Sequence, residues 1–137
     1  MAVRLPLRPL AVAAGGAVGS WLRWGASSAF PVSPGTFPVT TLAINVLGSA
    51  LLGVVLVVLL DRSAPRTGWH ALLGTGVLGA FTTFSTFAVE SVELVRVGRW
   101  PVALAYVASS IGVGLAAVVV ALAVTRRATG ATQVATP

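Results

Sequence analysis

Four long runs almost free of charge divide this chain, and they limit its possible folds more than any other feature. They cover residues 10–30, with a single arginine, and residues 40–60, 71–89 and 101–124, with no charged residue. Each run has about the 20 residues that a helix rising about 1.5 Å per residue needs to cross a hydrocarbon core roughly 30 Å thick. Only 9% of the 137 residues are charged, whereas an average soluble domain is about 25% charged. The pattern predicts an all-α integral membrane protein with four spanning helices.

Short connections with turn-forming residues join these runs into a single unit. We expect one four-span domain over residues 1–127, with spans at about residues 10–30, 40–60, 70–95 and 101–124. Residues 128–137 are small, polar and without a pattern, which predicts a disordered tail.

The formal net charge of +6 comes from arginine, with no lysine in the chain. Most arginines flank the apolar runs, which argues against nucleic acid binding and is typical of membrane topology signals. The chain has no cysteine, so disulfides and thiolate metal sites are excluded. No Ser-His-Asp set or phosphate-binding loop is evident. The sequence therefore predicts no enzyme, and any transport is expected to be passive.

The third run contains an unusual polar segment, in which residues 81–87 read Phe-Thr-Thr-Phe-Ser-Thr-Phe. Hydroxyl groups at membrane depth must find partners or line a water-filled path, so such positions are functional hypotheses. Gly79 is the third glycine in six residues and lies just before this segment. These features predict a broken third helix, whose half-helix ends are candidate ion sites.

Asn45 is the most polar residue within the second run. Thr41, Gly48 and Ser49 lie on the same helical face as Asn45. One interpretation is a polar stripe along an ion path. The alternative is an interhelical hydrogen bond, worth about 1 kcal/mol in lipid.

The third and fourth runs carry further polar or aromatic stripes. Residues three or four apart share a helical face, and the pairs here are Phe84 and Phe87, Thr83 and Thr86, and Tyr106 and Ser110. Amide, hydroxyl and aromatic-edge groups can all face an anion, because the edge of a ring is the positive end of its quadrupole. A cation path or a proton-coupled pump would need an acid at midspan. The three acids lie near the ends of the runs instead, so the stripes predict an anion path.

Arg23 is the one charged residue inside the first run, between Trp21 and Trp24. It could be a snorkelling arginine at a helix end. It could equally attract anions into the entrance of the path. The sequence leaves both interpretations open.

These residues resemble the CrcB-type (Fluc) fluoride channels of bacteria. The resemblance is carried by residues 15–23 (Gly-Gly-Ala-Val-Gly-Ser-Trp-Leu-Arg), by residues 40–49 around Asn45, and by residues 76–87. It implies a passive, fluoride-selective channel in the bacterial inner membrane that exports fluoride from the cytoplasm and relieves its toxicity. It also implies an antiparallel, dual-topology dimer with two pores, each lined by both subunits.

The resemblance further assigns roles to particular residues. Asn45, Phe84 and Phe87 would be fluoride-path residues, with Tyr106 and Ser110 as polar lining from the fourth span. Backbone carbonyls of Gly79 and Thr82 would hold a structural sodium ion at the dimer centre. Position 114 is a glycine where a further hydroxyl is expected, so the fourth-span lining departs from the pattern.

The arginines are unevenly distributed between the two sides of a four-span protein. Six lie on the side of the termini and two on the other side: Arg4, Arg8, Arg62, Arg66, Arg126 and Arg127 against Arg96 and Arg99. Such a bias sets one orientation, with the termini in the cytoplasm. An antiparallel channel would then be either a homodimer whose packing overrides the bias or a heterodimer with a homologous subunit of opposite orientation.

Two other classes of membrane protein remain as alternatives. A small multidrug-type transporter also has four spans, but it needs a carboxylate in the first span, and residues 10–30 contain none. A non-conducting membrane assembly subunit would explain the many glycines in the spans. It would not explain the stripes of hydrogen-bond donors.

Overall fold

The computed structural model describes residues 7–60 and 68–130, and this part of the chain is helical, without a strand. The elements are α1 (Leu7–Ala29), α2 (Val39–Leu60), a π-helix (His70–Leu78), α3 (Gly79–Phe81), α4 (Phe84–Arg96) and α5 (Trp100–Thr129). The predicted all-α class is confirmed. The connection at residues 61–67, with its two arginines, lies outside the described residues.

Three helical stretches are long and apolar enough to cross a membrane: Val39–Leu59, His70–Arg96 and Trp100–Thr129. Helix α1 has 23 residues, which is sufficient in length. It is less apolar than the other three, because it includes Arg8 and Arg23 as well as several glycines and serines. Its crossing of the membrane stays a prediction.

The third span is broken, as the glycines and the polar segment predict. A π-helix, His70–Leu78, leads into the single turn of α3. Thr82 and Thr83 then adopt extended backbone, with ψ of 160° and 122°, before α4 begins at Phe84. The π-helix was not predicted, since the apolar pattern of nine residues does not distinguish it from an α-helix. Such segments often occur at functional sites.

Local signals explain where the helices end. Pro31 follows α1 closely, and the residue before a proline is disfavoured in helical conformation. Gly98, with φ of 76°, ends the turn after α4, and Pro101 occupies the first turn of α5. Helix α5 extends to Thr129, with Gly130 as its left-handed cap. The helix therefore includes the first two residues of the predicted tail, and residues 131–137 lie outside the described part of the chain.

Glycines allow the helices to approach each other closely. Helix α1 packs along the third span, where Gly15 lies against the backbone of Leu72 and Gly19 against that of Val77. Helix α2 packs along α5, where a Cβ at Gly53 would lie 2.8 Å from the Val118 carbonyl oxygen. Backbone contact of this kind is how membrane helices associate without a hydrophobic driving force between them.

The buried core is small and lies where α4 meets α5. Tyr106, Leu94 and Ala103 are buried, with Phe37 and Phe87 packed against them. Many large apolar side chains are exposed instead. Such an exterior suits contact with lipid or with another membrane subunit.

Candidate functional site: a groove at the broken third span

An open groove of about 440 Å³ runs beside the break between α3 and α4. Elements α2, the π-helix, α3, α4 and α5 and the two residues of the break contribute to its wall. The lining residues are Asn45, Gly48, Ser49, Leu52, Gly74, Leu78, Gly79, Thr82, Thr83, Phe84, Phe87, Ser110 and Ile111. None of them is charged. Five of the eight residues predicted for the anion path meet here, together with both residues predicted for the cation.

Asn45 connects α2 to the break between α3 and α4 through two hydrogen bonds. Its Nδ2 donates to the Thr83 carbonyl oxygen at 3.0 Å, and its Oδ1 accepts from the Thr83 backbone N–H at 2.8 Å. The interhelical bond that the sequence left as the alternative is therefore present. Asn45 also lines the groove, so the same amide serves the packing and faces the open space. One of its two N–H donors remains after the bond to Thr83.

Thr83 caps the first turn of α4. Its Oγ1 accepts from the Thr86 backbone N–H at 3.1 Å and donates to Thr86 Oγ1 at 3.0 Å. Threonine at this position satisfies a backbone donor that the start of a helix leaves without an intrahelical partner. The closely spaced hydroxyls of the polar segment thus stabilise the start of the second half-helix.

These two sets of hydrogen bonds release two carbonyl oxygens from the helix. In a continuous α-helix the Thr83 N–H would donate to the Gly79 oxygen, and the Thr86 N–H would donate to the Thr82 oxygen. The first donor is bound to Asn45 and the second to the Thr83 side chain. Gly79 and Thr82 both line the groove. Backbone oxygens of this kind are ligands that a hard cation prefers, so the donor set fits such an ion.

Phe84 and Phe87 differ in their surroundings. Phe84 is 79% exposed, whereas Phe87 is half-buried and its ring centroid lies 5.3 Å from that of Tyr106. The two phenylalanine rings are themselves 5.8 Å apart and tilted by 46°. Phe87 is thus held by packing, whereas Phe84 lines the groove with most of its surface exposed.

Ser110 brings an unsatisfied hydroxyl into the groove. Its Oγ is buried, and it has no hydrogen-bond partner among residues 7–60 and 68–130. Buried polar groups are normally paired, so an orphan in a groove points to a ligand or a water molecule. Near Gly114, where the chain lacks the expected hydroxyl, α2 contributes one. A Cβ at position 114 would lie 3.7 Å from Ser49 Oγ, and Ser49 also lines the groove.

Glu90 forms a second polar cluster, to which the sequence analysis assigned no role. Its Oε1 accepts from Thr41 Oγ1 at 2.8 Å and its Oε2 accepts from the Tyr106 hydroxyl at 2.7 Å. The carboxylate thus connects α2, α4 and α5. Tyr106 is fully buried and, unlike Ser110, does not line the groove. A signal was available, because Thr41 lies one turn from Asn45 and Glu90 one turn from Thr86.

Arg23 lies away from the groove lining. Its Nε donates to the carbonyl oxygen of Ala80 at 3.0 Å, and the side chain is half-buried between α1 and α3. A cation at the end of a helix interacts favourably with the last carbonyls. In this structure, then, Arg23 stabilises the end of α3 beside the break.

Comparisons with known proteins identify the family of this chain. The family model described as CrcB-like protein, Camphor Resistance (CrcB), matches residues 10–122. The chain belongs to the CrcB family. The match includes α2, the broken third span and most of α5, and therefore the whole groove.

Several relatives in the CrcB family are named after their activity. The chain is 44% identical over 118 residues to the fluoride-specific ion channel FluC of Saccharophagus degradans, covering 86% of this chain and 89% of that protein. It is 50% identical over 108 residues to the fluoride-specific ion channel FluC 2 of Symbiobacterium thermophilum, covering 78% and 88%. It is 43% identical over 116 residues to the fluoride-specific ion channel FluC 1 of Streptomyces coelicolor, covering 85% and 75%. These relatives carry the names of ion channels and not of enzymes. Together with the apolar helices they identify the chain as a multi-pass bacterial membrane protein.

Proposed function

We propose that this chain forms a passive, fluoride-selective channel in the bacterial plasma membrane, through which fluoride leaves the cytoplasm. The groove at the broken third span carries the proposal, because amide, hydroxyl and aromatic groups line it and no charged residue does. Membership of the CrcB family, with relatives named as fluoride-specific ion channels, supports fluoride as the ion. Its export would relieve fluoride toxicity.

The groups in the groove suit an anion that leaves water. Such an ion must regain hydrogen bonds, because an unpaired charge in a medium of low polarity is very unfavourable. Ser110 offers a hydroxyl without a protein partner among the described residues, and Asn45 offers its remaining N–H. The edges of Phe84 and Phe87 add the positive end of the ring quadrupole. Helix α4 begins at Phe84, so the positive end of its dipole lies beside the same groove.

The groove becomes a pore when a second subunit covers it. Phe84 and Ile111 line the groove and are 79% and 62% exposed, so in a single subunit the groove opens to the outside. Lipid on that side would leave a permeating ion without solvation. In an antiparallel dimer each subunit would cover the groove of the other. Two pores would result, each lined by both subunits.

A structural sodium ion at the dimer centre forms the second part of the proposal. The released carbonyls of Gly79 and Thr82 from both subunits would bind it, since oxygen atoms are the ligands of a hard cation. Among residues 7–60 and 68–130 no group of three or more histidines, cysteines or acids could bind a metal ion, so the proposed ligands are backbone oxygens. A high-resolution map of the dimer without density between the two breaks would contradict the site.

The arginine bias favours a heterodimer as the working channel. With its arginine excess on the side of the termini, this chain would insert mainly with both termini in the cytoplasm. An antiparallel channel would then need a homologous subunit of opposite orientation. A homodimer requires that packing between subunits overrides the charge signal.

Fluoride efflux from liposomes tests the function directly. The purified chain is incorporated into liposomes loaded with potassium fluoride, and release after addition of a potassium ionophore is measured with a fluoride electrode. We expect rapid release of fluoride and no matching release from liposomes loaded with potassium chloride. If the chain alone is inactive, it is purified together with a homologous subunit of opposite orientation. Fluoride release no faster than from protein-free liposomes in both preparations, or equal release of chloride, would refute the proposal.

A further inference from the structure

The structure gives a reason why the carbonyls of Gly79 and Thr82 could supply cation ligands. Each carbonyl lacks its helical donor because the backbone is extended at Thr82 and Thr83, and a named side chain binds that donor instead. Asn45 Oδ1 accepts from the Thr83 N–H at 2.8 Å, and Thr83 Oγ1 accepts from the Thr86 N–H at 3.1 Å.

We infer that the side chains of Asn45 and Thr83 are positioning residues for the cation site, which they form by diverting two backbone donors. The inference rests on the sodium ion of the proposed function. It adds two residues whose side chains act through the backbone and need not touch the ion.

The neighbouring carbonyls are engaged in other ways. The oxygen of Leu78 accepts from both the backbone N–H and the hydroxyl of Thr82, at 3.1 Å and 3.0 Å. The oxygen of Ala80 accepts from Arg23 at 3.0 Å. The carbonyls of Leu78 and Ala80 are thus engaged, whereas Gly79 and Thr82, whose carbonyls lack their helical donors, line the groove.

Asn45 also connects the cation site with the anion path. Its Oδ1 holds the Thr83 N–H away from Gly79, while the same amide group lines the groove. A change that removes the acceptor would favour the return of Thr82 and Thr83 from extended to helical backbone, in which the Thr83 N–H donates to the Gly79 oxygen. The cation would then have to displace a helical hydrogen bond before it could bind.

The test measures binding of sodium through stability and does not depend on transport. The full-length protein in detergent is unfolded thermally at increasing sodium chloride, with N-methyl-D-glucamine chloride keeping the ionic strength constant. A ligand that binds only the folded state raises the melting temperature as its concentration increases. The concentration that gives half of the maximal increase is compared between variants.

Thr83→Val is the decisive variant, because it keeps the size of the side chain and removes the acceptor oxygen. We expect the half-maximal sodium concentration to increase about tenfold or more, since a tenfold change corresponds to about 1.4 kcal/mol, within the range of one helical hydrogen bond. Thr83→Ser retains the oxygen and should restore the sodium response. Asn45→Leu removes the other acceptor and should weaken the response in the same way.

Ser91→Ala is the matched control for loss of a hydroxyl in the same helix. Ser91 Oγ donates to the carbonyl oxygen of Phe87, far along α4 from the break, so the sodium response should be unchanged. A Thr83→Val protein with the wild-type sodium response would overturn the inference, even if Asn45→Leu did not fold.

The outcomes separate this inference from the proposed function. If the melting temperature does not respond to sodium in the wild-type chain alone, nor in its complex with a homologous subunit of opposite orientation, both the sodium site and the role of the two side chains are refuted. A protein that responds to sodium, loses the response in Thr83→Val and conducts no fluoride in liposomes would refute the channel and support the inference.

Discussion

Replacing Gly19 with alanine should separate α1 from the third span. Gly19 is buried, and an added Cβ would overlap the carbonyl oxygen of Val77 and lie 3.0 Å from the backbone nitrogen of Phe81. Both neighbours are backbone atoms, so no side chain can rotate out of the way. Since ordinary contacts between carbon atoms are about 3.5–4.0 Å long, the two segments must move apart.

Gly16 provides a matched control in the same helix, because a Cβ there would meet nothing within 4 Å. At such a position alanine stabilises a helix by about 0.5–1 kcal/mol relative to glycine. At Gly19 the overpacking should destabilise the protein by about 1–3 kcal/mol. The gain from replacing a helical glycine is common to both variants, so the free energy of unfolding of Gly19→Ala should lie about 1–3 kcal/mol below that of Gly16→Ala.

Denaturant unfolding of both variants in the same detergent measures this difference. Gly19→Ala should also reduce fluoride release from liposomes. Arg23, one turn further along α1, donates to the Ala80 carbonyl at 3.0 Å, and a displaced α1 would break this bond beside the helix break. Gly16→Ala should conduct like the wild type. Equal unfolding free energies for the two variants would show that the close approach of α1 to the third span does not contribute to stability.

Three further predictions concern the path and its orientation. Phe84→Ile and Phe87→Ile should both reduce fluoride release sharply, since isoleucine has no positive ring edge. Phe87→Ile should lower the thermal stability more than Phe84→Ile, because Phe87 pairs with both Phe84 and Tyr106, whereas Phe84 is 79% exposed. Each ring pair is worth about 0.5–1.5 kcal/mol. Full release in both variants would remove the rings from the mechanism. Asn45→Asp should abolish fluoride release, because a carboxylate oxygen would replace the Nδ2 donor that lies 3.0 Å from the Thr83 carbonyl oxygen. If circular dichroism shows that the variant is unfolded, the loss reflects folding alone. When the chain is expressed alone, reporters fused to either terminus should give cytoplasmic signals. Comparable cytoplasmic and external signals would favour a homodimer.

The sequence by itself determined the class of the protein and the position of its main irregularity. Charge-poor runs of about 20 residues can form few structures other than membrane helices, because a backbone in hydrocarbon must satisfy its own hydrogen bonds. Closely spaced glycines followed by clustered hydroxyls were sufficient to predict the break, since both features are unfavourable within a regular helix. The motifs around Asn45 and Phe84 were sufficient to predict the family.

Only the tertiary structure decided what each polar residue does at the break. Hydrogen bonds between residues 38 positions apart join Asn45 to Thr83, and 57 positions separate Arg23 from Ala80. Helical periodicity reports which residues share a face of one helix, but it does not report which face of another helix they meet. For that reason Tyr106 and Ser110 form one stripe in the sequence, yet in the fold Tyr106 is buried against Glu90 while Ser110 lines the groove. The hydrogen bond that keeps the Thr83 N–H from the Gly79 carbonyl likewise depends on where α2 packs, because Asn45 accepts it only when α2 lies beside the break.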